Sequence, residues 1–117
     1  MSKYHSRKTT VDGITFDSRA EAARYSELKL LEKGGYISDL VLQPEYELIP
    51  AFKKNGKTYR KTVYKADFSY YDFLTNKVIV EDVKGVKTPA YKLKKKLFEY
   101  RYKDLEILEI VKGDRKT

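Results

Sequence analysis

The sequence predicts one α+β domain, a mixed α/β arrangement in which helices flank a central sheet. Hydrophobic residues make up 41% of the 117 residues, which suits one hydrophobic core but not two. Two segments place apolar residues at helical spacing and begin with capping signals. The segments around them are rich in Ile, Val, Leu and Tyr, as strands are. We expect a short strand, a helix, three strands, a second helix and a final strand.

The N-terminal segment divides into an arm and the start of the domain. Residues 1–8 are polar and basic without periodicity, so we expect a flexible basic arm followed by a single domain over residues 9–117. The segment 9–17 alternates weakly around Asp12-Gly13, a turn signal. That pattern is typical of a short hairpin or of a strand with a tight bend.

The first helix is predicted over residues 18–33. Ser18 and Glu21 have the spacing of a capping box, in which each residue satisfies a backbone N–H of the first turn. Apolar residues then recur at helical spacing. The Gly34-Gly35 pair ends the helix, with glycine supplying the left-handed cap.

A three-stranded meander is predicted over residues 37–84. Asn55-Gly56 is a strong signal for a two-residue hairpin turn between its first two strands, and we expect the return strand to be long. Pro44 and Pro50 indicate an edge position or a break, because proline cannot donate a ladder hydrogen bond.

The second helix and a final strand complete the domain. Thr88-Pro89 begins the helix, with proline at its favoured first position, and the strand follows over residues 105–111. The predicted apolar face of this helix consists of Ala90, Leu93, Leu97 and Phe98.

Composition limits the classes of function. The formal charge is +8, from 25 basic and 17 acidic residues, and 11 of the residues are Tyr. A basic, tyrosine-rich domain suits nucleic acid, although a protein with an ordinary basic surface fits composition equally well. Without cysteine, disulfides and thiolate metal sites are excluded. No signal peptide or membrane-length apolar run is seen, so we expect a cytoplasmic protein without a membrane partner.

A charged strand end carries the candidate chemistry. In "VIVEDVKG", Val80, Asp82 and Lys84 share one face, whereas Glu81 faces the other way. A turn near residue 75 would place Asp67 opposite about residue 83 and thus close to this pair. A surface ion pair is the ordinary interpretation. The functional interpretation is a Mg²⁺ site for phosphodiester hydrolysis, with oxygens from Asp67, Asp82 and the Val83 carbonyl and with Lys84 beside the metal.

Asp67 followed by Asp82-Val83-Lys84 resembles the PD-(D/E)xK nuclease motif, and the element order resembles the restriction-endonuclease-like αβββαβ core. Over about residues 8–111 the chain is similar to a family of small phage-encoded nucleases of this superfamily, which is related to Holliday-junction resolvases and transposase-associated endonucleases. The segments that carry this similarity are "SRAEAARYSEL", "LQPEYEL", "YKADFSYYD", "VIVEDVKG" and "TPAYKLKKKLFEY".

The resemblance implies an endodeoxyribonuclease that depends on Mg²⁺ or Mn²⁺ and processes or recombines phage DNA, with branched or junction DNA as a candidate substrate. Asp67, Asp82 and Lys84 match its catalytic positions, and Glu21 matches a further glutamate on the first helix. Ala66 stands where the motif often has proline. A homodimer in the host cytoplasm is also implied, because paired incisions need two sites.

Several residues have competing interpretations. Glu21 is equally well explained as a helix cap, and Gln43 either supports the site or is structural. For Tyr64 we expect packing. Residues 84–103 hold eight basic residues and one acidic residue, either a solvated helix face or a grip on the DNA backbone. The candidate DNA-binding residues are Lys87, Lys92, Lys95 and Lys96.

Two other functions remain open at this stage. The first is a non-catalytic DNA-binding or phage structural module on the same fold, which would need the basic helix but no acidic cluster. The second is a nuclease directed at RNA, which the sequence does not distinguish from one directed at DNA.

Overall fold

A computed structural model of the chain describes residues 8–84 and 87–111. It has two helices and ten strands within those residues, which confirms the predicted α+β class. In chain order the elements are β1 (Thr9–Val11), β2 (Ile14–Phe16), α1 (Arg19–Lys33), β3 (Ile37–Leu42), β4 (Glu45–Ile49), β5 (Phe52–Lys54), β6 (Lys57–Tyr59), β7 (Thr62–Lys65), β8 (Phe68–Asp72), β9 (Lys77–Lys84), α2 (Pro89–Arg101) and β10 (Glu106–Val111).

The central sheet has four strands in the order β10-β9-β8-β3. Strand β9 pairs antiparallel with β8 and parallel with β10, and β8 pairs antiparallel with β3. The parallel pair requires a crossover connection, which α2 provides. The sheet is therefore mixed, as predicted, with β9 in its interior.

The first two meander strands form one long ribbon that is interrupted twice. It consists of the pairs β3·β8, β4·β7 and β5·β6, and its tip is the predicted turn, where Asn55 and Gly56 have φ of 53° and 76°. Pro44 and Pro50 lie at the two interruptions of the first strand. The break that these prolines indicated is therefore confirmed. The expectation of a long return strand is wrong in detail, since it is divided into β6, β7 and β8 without a proline.

Helix α1 covers one face of the sheet. Tyr25 and Leu28 of α1 are buried against Phe68 and Tyr70 of β8, together with Phe16 of the β1–β2 hairpin. The turn of that hairpin is Asp12-Gly13, both at positive φ, so the short hairpin is the alternative that the fold adopts. This packing fixes the position of the first turn of α1 relative to the sheet.

Helix α2 covers the opposite face. Tyr91 and Phe98 of α2 pack against Val80 of β9 and Tyr64 of β7. The predicted apolar face is partly wrong: Leu93 is 56% exposed and Ala90 is also exposed. Tyr91 is buried instead, because its ring buries a large apolar area while its hydroxyl reaches Glu109.

Capping residues set the helix ends as predicted. Ser18 is the N-cap of α1, and its Oγ accepts a hydrogen bond from the Glu21 N–H at 3.1 Å. Gly35, at φ 84°, ends α1, and its N–H bonds to a carbonyl of the last turn, as in a Schellman motif. Thr88 caps α2 and accepts a hydrogen bond from the Tyr91 N–H at 3.1 Å.

The predicted basic arm lies outside the described residues except for Lys8, whose Nζ is 3.3 Å from Asp17 Oδ1. Neither α1 nor α2, the helices of the described part of the chain, is long and apolar enough to cross a bilayer.

Candidate active site

Asp67 and Asp82 come together where β8 begins. The register pairs Phe68 with Glu81, which places Asp67 level with Asp82, one residue from the predicted position. Asp67 lies in the bend between β7 and β8, and its Oδ2 accepts a hydrogen bond from the Val83 N–H at 2.7 Å. The Asp67 carboxylate is therefore bound directly to the backbone of β9, beside Asp82.

The bend at Asp67 also exchanges the two faces of the ribbon. Ala66 is buried with Tyr64 in the α2 core, whereas Phe68 is buried in the α1 core. Residues two apart on a regular strand share one face, so the chain must turn over between positions 66 and 68. Asp67 therefore lies at the boundary between the two cores.

Asp82 is almost fully buried, at 3% exposure. Its Oδ1 lies 3.1 Å from Lys84 Nζ, and its Oδ2 accepts a hydrogen bond from the Tyr64 hydroxyl. As the alternation of β9 predicts, Asp82 and Lys84 lie on the same face. Tyr64, which we expected only to pack, both packs in the core and binds the candidate metal ligand. The ordinary spacing of strand residues gives no sign of that second role.

Lys84 is held from two sides. Its ammonium lies 3.1 Å from Asp82 and 4.0 Å from the centre of the Tyr91 ring. A cation over an aromatic face is attracted by the ring quadrupole, and the attraction strengthens where water is excluded. Lys84 also borders a groove of about 440 Å³ beside Lys65 and Lys94. The ammonium thus lies at the wall of an accessible groove.

Glu21 faces this cluster from the first turn of α1. The pKa of its carboxyl is raised, mainly by burial and to a smaller extent by the negative charges of Asp17 and Asp82. Glu21 is also part of the N-terminal cap, since its N–H donates to Ser18. Capping and a position close to the acidic site therefore coexist in this residue.

The carboxyls form a site with excess negative charge. The pKa of Asp67 is raised to about 7, chiefly by burial and further by the charges of Asp82 and Glu21, while the hydrogen bond from Val83 opposes the rise. Hard divalent cations prefer oxygen ligands of this kind, and a bound cation would relieve this repulsion. As the side chains stand, no three acidic or histidine residues within 8–84 and 87–111 are grouped closely enough to hold an ion.

Gln43 contributes through its backbone. It lies in the break between β3 and β4, with φ of 52°, and its N–H donates to the Asp67 carbonyl at 2.9 Å. Its side chain is exposed. The contact that Gln43 makes at the bend is therefore a main-chain one, as its structural alternative expects, and support of the site by its side chain stays a prediction.

Glu81 lies on the opposite face of β9, as predicted, in a separate network. Its carboxylate accepts hydrogen bonds from Arg24 Nε at 2.8 Å and Nη2 at 2.5 Å, and a third from the Tyr70 hydroxyl. Burial of Glu81 is complete, at 0% exposure. Arg24 was not identified from the sequence, because nothing local to α1 shows that it faces an acid on β9.

Glu109 is a second acid that the sequence interpretation missed. It pairs with Asp82 in the register of β10 and β9, so Glu109 and Asp82 lie on adjacent strands, with Asp67 in the bend just before β8 on the other side of β9. Lys87 Nζ is 2.8 Å from Glu109 Oε1, and the Tyr91 hydroxyl donates to Oε2 at 2.6 Å. The available signal was strand alternation, which puts Glu109 on the same face as the apolar Ile107.

The four predicted DNA-binding lysines surround one groove of about 380 Å³ on α2. It is lined by Lys87, Lys92, Lys95 and Lys96, together with Tyr91, Glu99 and Glu109. Lys87 and Lys95 form ion pairs with Glu109, and hydrogen bonds from Lys87 and Tyr91 lower the pKa of Glu109 to about 2. The charge of these two lysines is therefore partly compensated within the protein.

Comparison with known proteins places the chain in a family. The family model described as "Protein of unknown function (DUF1064)" matches residues 1–117, and the chain belongs to that family. No curated protein and no solved structure matches it. Because the family description names no activity, the chemistry of the site follows from the side chains described above.

Proposed function

We propose that this protein is a divalent-metal-dependent endodeoxyribonuclease. The single observation that carries the proposal is the convergence of Asp67, Asp82 and Lys84 at one point of the sheet. The Lys84 ammonium lies 3.1 Å from Asp82, and Asp67 is bound to the intervening residue, Val83, at 2.7 Å. A carboxylate pair with an adjacent lysine is the chemistry that metal-assisted phosphodiester hydrolysis requires.

The order of elements supports the same proposal. From α1 onward, the chain runs through the long ribbon, β9, α2 and β10, which is the order of a restriction-endonuclease-like αβββαβ core. Asp67 precedes β8 and Asp82 is in β9, and in this proposal the two acids correspond to the acidic positions of the PD-(D/E)xK motif. We assign the chain to that superfamily as part of the proposal.

Each site residue has a defined task in this proposal. Asp67 and Asp82, with the Val83 carbonyl and Glu21, would hold Mg²⁺ or Mn²⁺, which when bound activates a water and stabilises charge on the phosphate. Lys84 places a positive charge beside the scissile phosphate. Tyr64 and Tyr91 hold Asp82 and Lys84 in place through the contacts described above.

DNA is the proposed substrate, and phage DNA processing or recombination is the proposed context. The lysines around the α2 groove would contact phosphates next to the site. Paired incision of branched DNA would need two active sites, so we include a homodimer in the proposal. Sedimentation with and without DNA tests it, and a monomer under both conditions would remove this part.

A second candidate is a DNA-binding module without catalysis on the same fold. Lys84 and Tyr64 already satisfy the two oxygens of Asp82, as in a structural ion pair. In this alternative the lysines bind DNA, while the acids only hold the sheet and α2 together. The two candidates differ in their response to metal.

A cleavage assay separates the candidates. Purified protein is incubated with supercoiled, linear, single-stranded and four-way-junction DNA, in Mg²⁺, in Mn²⁺ or in EDTA, and metal binding is measured by calorimetry. The nuclease proposal expects metal-dependent cleavage of at least one substrate and metal binding without DNA. DNA binding with neither cleavage nor metal binding would overturn it in favour of the second candidate.

A further inference from the structure

The β5–β6 hairpin is the most exposed part of the described chain. Every residue from 49 to 61 is exposed, on both faces of the ribbon. Neither hydrophobic core includes a residue of this hairpin. An isolated two-stranded ribbon is only marginally stable in water, so its persistence here needs a local cause.

Two local features hold the hairpin in shape. Asn55 and Gly56 form the tip with positive φ at both positions, which matches the twist of the flanking strands. Phe52 and Tyr59 are directly opposed, and their rings stack with centroids 4.8 Å apart and an interplanar angle of 11°. The hairpin is therefore organised before anything binds to it.

The hairpin and strand β7 carry cations that form no ion pair with the described residues, although Lys65 of β7 is the cross-strand partner of Glu45. Residues 50–66 contain six cations and no acid. None of the six forms an ion pair with any residue that the structure describes, in contrast to Lys87 and Lys95 on α2. The six cations are Lys53, Lys54, Lys57, Arg60, Lys61 and Lys65.

Two of these cations face each other. Lys54 and Lys57 are direct cross-strand partners next to the tip, on the same face as the Phe52–Tyr59 stack. Like charges directly opposite each other destabilise a hairpin. An anion bound between the two ammonium groups would remove this repulsion. Without such an anion, the two lysines would repel each other across the hairpin.

We infer that the β5–β6 hairpin is a second DNA-binding surface that takes the phosphates of duplex DNA. A two-stranded ribbon fits the major groove, roughly 12 Å wide, and would bring both lysines to phosphates. The ribbon continues through β7 to Lys65, in the groove that Lys84 borders, so one duplex could reach both. Tyr64, which contacts Asp82, is seven residues from Lys57. An extended chain of that length covers roughly 23 Å, which is less than one helical turn of DNA.

Self-association of the hairpin is disfavoured by the same features. Pairing two copies of the hairpin would bring like charges together, because residues 50–61 contain five cations and no acid. The apolar rings at the hairpin, Phe52 and Tyr59, are already stacked on each other. DNA is the occupant whose charge complements the ribbon.

The test compares two double variants that each remove two exposed lysines. Lys54→Gln with Lys57→Gln alters the hairpin, and Lys33→Gln with Lys77→Gln, at the end of α1 and the start of β9, is the matched control. Affinity for labelled duplex DNA is measured in EDTA over a salt series, with circular dichroism to check the fold. The hairpin variant should bind at least roughly tenfold more weakly, and the slope of log affinity against log salt concentration should be smaller by roughly 1.8. The control should show a much smaller change in both.

Equal affinity of the two folded variants would overturn the inference. So would a hairpin variant that loses only single-strand binding, anionic-vesicle binding or self-association. Charge reversal, Lys54→Glu with Lys57→Glu, must weaken duplex binding further.

The inference relies on the proposed function for its ligand class, but it can fail separately. If the parent protein cuts DNA and the hairpin variant binds duplex DNA as tightly as the control, the hairpin inference alone is refuted. Protein that never cuts, yet loses duplex affinity in the hairpin variant, would refute the nuclease alone.

Discussion

Glu81 and Asp82 are consecutive residues of β9, and both are buried, but their carboxylates lie on opposite faces of the sheet. Glu81 is bound by Arg24 of α1, whereas Asp82 is bound by Lys84 of its own strand. The first contact joins two elements of the fold, and the second assembles charges next to a groove. Substitutions at the two positions should therefore have different consequences.

Replacement of Asp82 tests the candidate metal ligand. Asp82→Asn keeps the size of the side chain and its contact with Tyr64, so we expect a folded protein. Cleavage should fall roughly 100-fold or more, because a neutral amide is a poor ligand for a hard cation. Metal affinity by calorimetry should fall with it. Glu27→Gln, at an exposed position on α1, is the control, and equal activity of the two variants would contradict the assignment.

Lys84 should act on the reaction rather than on DNA affinity. Lys84→Met removes the ammonium but retains much of the chain that packs on Tyr91, and we expect a loss of roughly 100-fold in cleavage rate. Lys77→Met, an exposed change at the other end of β9, is the matched control. Single-turnover kinetics with saturating protein separate rate from affinity. A Lys84 variant that cuts normally once bound would exclude this role.

Removing one partner of the Arg24–Glu81 pair should destabilise the protein strongly, whereas replacing the whole pair by apolar residues should not. Arg24→Met leaves a buried carboxylate without its main partner, so unfolding free energy should fall by about 3–5 kcal/mol. Combining it with Glu81→Leu and Tyr70→Phe removes the buried polar groups of the network and leaves only the exposed Glu27, so stability should return to within roughly 1 kcal/mol of the parent. Urea unfolding measures both. A triple variant no more stable than the single one would contradict this account.

Glu109 should make stability depend on pH in the acidic range. Its pKa is lowered from 4.5 to about 2 by Lys87, Tyr91 and Lys95, so the folded state favours the charged carboxylate. The resulting stabilisation is complete above 4.5 and is lost as the pH falls towards about 2. The stability difference between the parent and Glu109→Gln should therefore shrink over that window. Glu106→Gln on the same strand controls for the loss of one carboxylate, and a difference that does not vary with pH would refute the prediction.

Features with local causes were predictable from the sequence. Ser18, Thr88 and the Asn55-Gly56 turn act within a few residues, so their signals are complete in the sequence itself. The alternation of β9 correctly separated Glu81 from Asp82 and joined Asp82 to Lys84. The proximity of Asp67 required only the length of one hairpin, and it was found to within one residue.

Features that depend on distant elements were not predictable. Glu109 lies beside Asp82 only because β10 pairs with β9 in one particular parallel register. Arg24 meets Glu81 through the packing angle of α1, which no sequence spacing fixes. The buried face of α2 was misjudged at Leu93, because the tyrosines of this chain act as core residues and a count of aliphatic positions overlooks them.

The turnover of the ribbon at Asp67 sets which length changes the fold can accept. One residue added or removed between Ala66 and Phe68 would send a core side chain to the wrong layer and displace the Asp67 carboxylate from Val83. Near Asn55 the ribbon touches neither core, so matched deletions from β5 and β6 would shorten it in register. Natural or engineered changes in chain length should therefore occur at the tip and not at the bend. The length of the hairpin can then vary while the geometry of the acidic site stays constant.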